Sequence, residues 1–94
     1  MIDIARITYG SADLIVGLLP NSFDQKTSEE KNVILVAIQN AARSAGIVGR
    51  LIAIWEDGMG ERKTLAAPDL SALCYILSIR WVKKNLNARL EVEA

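Results

Sequence analysis

The sequence predicts an α+β domain in which two helices pack on a small four- to five-stranded mixed or antiparallel sheet, with residues 1–94 forming one unit. Three observations carry this expectation. Residues 28–45 are amphipathic and open on a capping signal; residues 48–56 and 61–66 flank a glycine-rich turn as a hairpin does; residues 69–86 are amphipathic behind a proline. A chain of 94 residues suits one core rather than two.

The first 26 residues read as strand, turn, strand. Ile2 and Ile4 alternate, Ile7 and Tyr9 continue with a shift of phase, and Gly10-Ser11 suits a turn into Asp13–Leu19. A short helix within 2–18 competes, supported by the Ile4/Ile7 and Leu14/Leu18 spacings and opposed by Gly10 and Gly17. Pro20-Asn21-Ser22 ends the segment, and Phe23 is expected in the core beside the start of the next helix.

Thr27 followed by Glu30 forms a capping box: the hydroxyl accepts the N3 amide and the carboxylate reaches back to the cap amide. Val33, Ile34, Ala37, Ile38, Ala41 and Ala45 then recur at helical spacing, and Gly46 stands where a left-handed residue terminates a helix. The helix is assigned to 28–45.

Val48 to Trp55 is apolar, β-branched and too short for a helix, so it reads as a strand covered on both faces. Asp57-Gly58 supplies a hairpin-turn dipeptide. The return at 61–66 is more polar, as an edge or half-exposed strand would be.

Pro68 and Asp69 open the second helix, at 69–86. Leu70, Leu73, Cys74, Leu77 and Trp81 make one face; Ile76, Ile79, Val82 and Leu86 make the adjoining one. Arg80, Lys83 and Lys84 complement the negative end of its dipole. Residues 89–93 alternate as a final edge-like strand.

The order strand, helix, strand, strand, helix, strand resembles the ferredoxin-like β-α-β-β-α-β arrangement with one extra N-terminal strand. That resemblance is architectural. It places 48–56 at a sheet edge although it is the more apolar hairpin strand, so either the strand order differs or 48–56 pairs with a second copy.

Composition narrows the chemistry. The chain has no histidine, one cysteine, and 11 basic against 11 acidic residues. Histidine triads and zinc sites are therefore excluded, an internal disulfide is impossible, and no net positive field attracts nucleic acid. The apolar runs Val33–Ile38 and Leu14–Leu19 fall well short of the ~20 residues of a membrane helix. No signal peptide, cofactor, metal or membrane association is expected, and the cytoplasm is the expected compartment.

Three sets of side chains merit attention as sites. Gly58, Gly60, Arg62 and Lys63 make a weak anion-site candidate, although the phosphate-loop spacing is absent. Arg80, Lys83, Lys84 and Arg89 are weak nucleic-acid candidates, with Glu91 and Glu93 beside them arguing for dipole compensation instead. Leu51, Ala53, Trp55 and Trp81 are interface candidates, Trp55 above all if it points outward. Cys74, mid-helix with no activating base, reads as a small core hydrophobe. The carboxylates Glu56, Asp57 and Glu61 read as a solvated turn.

The expected function is a protein-interaction or regulatory module without catalytic activity, self-associating as a homodimer through 48–56 or the apolar face of 69–86, or docking another protein. One alternative is a small domain binding anionic ligands, or a minor enzyme, with Arg50, Arg62 or Lys63 and Glu56 around a pocket between sheet and helices. The other is nucleic-acid binding through the C-terminal basic cluster.

Overall fold

A computed structural model describes residues 1–92. Strands β1 (Ile2–Tyr9) and β2 (Ala12–Leu18) form a hairpin whose turn uses Gly10 at φ +62°. The N-terminal segment is thus strand, turn, strand, not the competing helix. A 3-10 turn at Asn21–Gln25 leads to α1 (Ser28–Ser44), followed by β3 (Arg50–Glu56) and β4 (Arg62–Ala66). A short 3-10 turn at Pro68–Leu70 then precedes α2 (Ser71–Ile76), α3 (Ile79–Lys84) and β5 (Ala88–Leu90). The final strand is shorter than the expected 89–93, and Glu93 lies outside the described residues.

The capping box at the start of α1 is formed: Glu30 N–H donates to Thr27 Oγ1 at 3.1 Å and Thr27 N–H donates to Glu30 Oε1 at 2.9 Å. Its other end closes through Gly46, at φ +74°, with Gly46 N–H on the Arg43 carbonyl and Ile47 N–H on the Ala42 carbonyl. Those two bonds satisfy carbonyls the helix leaves open.

All strands join one sheet in the order β4-β3-β2-β1-β5. β2 and β3 are parallel, connected through α1, and the other pairs are antiparallel, so the sheet is mixed. This order departs from the ferredoxin-like one. There the strand after the first helix lies at an edge; here β3 is interior and β4 takes the edge. The physical reason is burial. Ala53 and Trp55 pack under α1 while Ile52 and Ile54 pack under α2 and α3, so β3 is covered on both faces and belongs inside. With β2 and β4 on its two sides, β3 has no free edge for a second copy.

Two cores therefore flank the sheet. One joins α1 through Ile34, Ile38 and Ala42 to Ile4, Ile15 and Trp55; the other joins Leu70, Cys74, Leu77 and Val82 to Ala5, Val16 and Ile54. Each fully buried aliphatic side chain contributes about 1.5–3 kcal/mol of transfer free energy. The phase shift in β1 has its cause here: Ile2 and Ile4 face α1, whereas Ala5 and Ile7 face the other layer. Much of the apolar content that suggested an interface is absorbed by this double burial.

The predicted helix 69–86 is broken. Leu77 and Ser78 are extended, at ψ 129° and 151°, and Ser78 caps α3 by accepting the Trp81 amide at 3.0 Å. The break resets the helical phase. Val82, fully buried, takes the inward place that an unbroken helix would give to Trp81, which is 41% exposed. Among the described residues, no helix is long and apolar enough to cross a membrane.

Candidate functional site

The hairpin β3–β4 builds the most distinctive surface of the molecule. Asp57 N–H donates to the Glu61 carbonyl at 2.9 Å and Gly60 N–H to the Asp57 carbonyl at 3.1 Å, with Gly60 at φ +79°. This is a three-residue loop closing on a left-handed glycine, so Gly60 rather than Asp57-Gly58 supplies the required backbone conformation. Asp57 Oδ1 also accepts the amides of Met59 and Glu61, at 2.8 and 2.9 Å. Those amides, Glu61 first, hold the buried Asp57 carboxyl below its ordinary range. The loop cradles an anion, and the anion is its own carboxylate.

Arg62 and Lys63 leave this loop in opposite directions, as consecutive strand residues must. Arg62 Nη1 donates to the Cys74 carbonyl at 2.6 Å on the α2 side. Lys63 Nζ lies 3.1 Å from Asp24 Oδ1 and 3.6 Å from Asp57 Oδ2 on the α1 side. The structure thus does not bring Gly58, Gly60, Arg62 and Lys63 together around one anion: the Met59, Gly60 and Glu61 amides are taken and the two cations are separated by the sheet. Arg50 and Glu56 likewise end opposite ends of β3, roughly 20 Å apart at the rise of a strand, so they share no pocket. Arg50 forms a bidentate pair with Asp69, Nη2 to Oδ1 at 2.8 Å.

Of the interface candidates, Ala53 and Trp55 are core residues, 0% and 4% exposed. Trp55 points inward, onto Phe23 edge-to-face with ring centroids 4.8 Å apart, and its indole is held by Asp24. Leu51 is half-buried against the α1 core, leaving Trp81 as the most exposed of the set. Arg80, Lys83 and Lys84 are exposed on α3, and none of them has an ion-pair partner among the described residues. Arg89 lies apart from them on β5, bonded to Asp3 at 2.8 Å.

β4 remains, at the open end of the sheet. Because the hairpin closes on the Asp57–Glu61 pair, the alternation of an antiparallel ladder makes Lys63 and Leu65 exchange hydrogen bonds with Trp55 and Ala53. The backbone N–H and C=O groups of Arg62, Thr64 and Ala66 consequently point away from the sheet. Leu65 is 39% exposed on this strand, and Tyr75, 83% exposed, lines a groove of about 310 Å³ between β4 and α2. Tyr75 lies off the inward face that Cys74 sets on α2, so its exposure follows from helical periodicity before the break.

Comparison of the chain with protein-family models, curated proteins and solved structures finds no match. A functional reading therefore rests on this geometry. Among the described residues no group of three or more histidine, cysteine, aspartate or glutamate side chains is placed to hold a metal ion.

Proposed function

We propose that this chain is a small protein-interaction module, without catalysis of its own, whose contact surface is the open edge of β4 together with the apolar side chains beside it. The observation that carries the reading is the outward set of backbone groups at Arg62, Thr64 and Ala66, bordered by exposed Leu65 and Tyr75. An unpaired edge of this kind accepts an added strand: main-chain hydrogen bonds supply affinity and neighbouring side chains supply selectivity. The free cysteine buried at position 74 is compatible with a cytoplasmic setting.

Selection from a displayed library of extended peptides, followed by NMR mapping of the binders, tests the reading. Binders that shift the amides of Arg62, Thr64 and Ala66, and that are lost in Thr64→Pro, are the expected result. Proline at 64 removes an outward N–H and spares the ladder to β3. Binders that map elsewhere, or a library that yields none, overturn it.

A further inference from the structure

We infer that the occupant of this edge is a second copy of the chain, paired antiparallel through β4 about a two-fold axis at Thr64, so that two five-stranded sheets become one. The inference rests on the reading of β4 as the contact edge and names its partner.

The register follows from the strand itself. A two-fold pairing has to match outward residues with outward residues, which restricts its centre. Centring on Thr64 sets Arg62 against Ala66 of the other copy and Thr64 against Thr64, so every outward residue of β4 is paired. Centring on Lys63 opposes two lysines and leaves Ala66 unused; centring on Arg62 opposes two arginines; centring on Leu65 leaves Arg62 unused. Like charges directly opposite are destabilising and lost ladder bonds are lost affinity, so the Thr64 register has the fewest penalties.

The side chains agree with that choice. Lys63 falls opposite Leu65 of the other copy, where its alkyl stem covers apolar surface while Asp24 and Asp57 hold its ammonium. Thr64 opposite Thr64 is a favourable cross-strand pair. The far edge of the sheet is unsuited to the same use: β5 has three residues, and a two-fold pairing uses the same β4 edge of both copies, so pairing closes at two copies instead of continuing.

Cysteine crosslinking in a Cys74→Ala background tests the register. That substitution keeps the backbone carbonyl on which Arg62 is held. Directly opposed residues of a hydrogen-bonded pair have Cα atoms about 5.5 Å apart, within disulfide reach. Thr64→Cys is expected to form a disulfide dimer on mild oxidation, Lys63→Cys and Leu65→Cys to do so at least ten-fold more slowly alone, and a mixture of those two to crosslink with each other. In light scattering on dilution, Thr64→Lys is expected to raise the dissociation concentration at least ten-fold. A monomer at every concentration, or equal crosslinking by all three single variants, overturns the inference. If that monomer still binds strand peptides at the Arg62, Thr64 and Ala66 amides, the edge reading stands and only its occupant is wrong; loss of both removes both.

Discussion

Trp55 donates its indole N–H to Asp24 Oδ1 at 3.1 Å, joining the end of β3 to the 3-10 turn before α1. The same carboxylate oxygen receives Lys63 from β4 at 3.1 Å, and Lys63 reaches on to Asp57 in the hairpin loop. Lys31 lies 5.5 Å from the Trp55 ring centroid, so a cation covers the ring from α1. Three segments distant in the chain are thereby tied at one corner of the sheet.

This corner predicts how stability depends on pH. Hydrogen bonds from Trp55 and then Lys63 lower Asp24, and amide donors lower Asp57, each from an ordinary 3.8. Groups lowered on folding contribute stability that is present above the ordinary value and lost as pH falls through the lowered one. Lys63 is raised above its ordinary 10.5, chiefly by Asp24, so its contribution is present below 10.5 and lost as pH rises beyond it. Denaturation midpoints against pH are expected to show an acid limb that flattens in Asp24→Asn and with added salt. An unchanged limb in that variant contradicts the prediction.

The two tryptophans predict opposite optical behaviour. In Trp81→Phe the remaining Trp55, 4% exposed, is expected to emit at short wavelength and resist acrylamide. In Trp55→Phe the remaining Trp81 is expected to be red-shifted and readily quenched. Matching spectra in the two variants would contradict the phase reset at Leu77–Ser78.

Glycines 49 and 60 predict different costs for the same substitution. A Cβ at Gly60 meets nothing within 4 Å but would sit at φ +79°, so Gly60→Ala should cost about 1 kcal/mol from backbone conformation alone. Gly60→Asn should recover part of that. At Gly49 a Cβ would lie 3.1 Å from the Asp13 carbonyl oxygen and 3.0 Å from Ile15 Cγ1, where β2 passes, so Gly49→Ala should cost about 1–3 kcal/mol and asparagine should give no recovery. Urea unfolding of the four variants checks both.

Thiol accessibility tests the second core. Cys74 faces inward from α2 and is 9% exposed, so an aromatic disulfide reagent should label it slowly in the native protein and rapidly in denaturant. Fast native labelling would mean that α2 does not stay packed on β3.

Local signals were legible in the sequence. The Thr27–Glu30 box and Gly46 bounded α1 because capping chemistry is settled within a few residues. The polar return at 61–66 read as an edge or half-exposed strand, because alternation records that only one face is covered, while its place in the strand order stayed open. The break in 69–86 was hidden: no glycine or proline marks it, and Ser78 becomes a cap only where the chain turns away to bury Val82. Trp55 was equally ambiguous, since its side of β3 is decided by where α1 lies.

By itself, the sequence determined α1 with its caps, the β3–β4 hairpin and the chemistries that a chain without histidine cannot use, because those depend on composition and on neighbours within one or two turns. Only the tertiary structure decided the strand order, the two-sided cover of β3 and the parting of Arg62 from Lys63 to opposite faces. Those depend on packing between residues far apart in the chain: the strand with apolar side chains on both faces is stable only inside the sheet, and β4 is left at its edge.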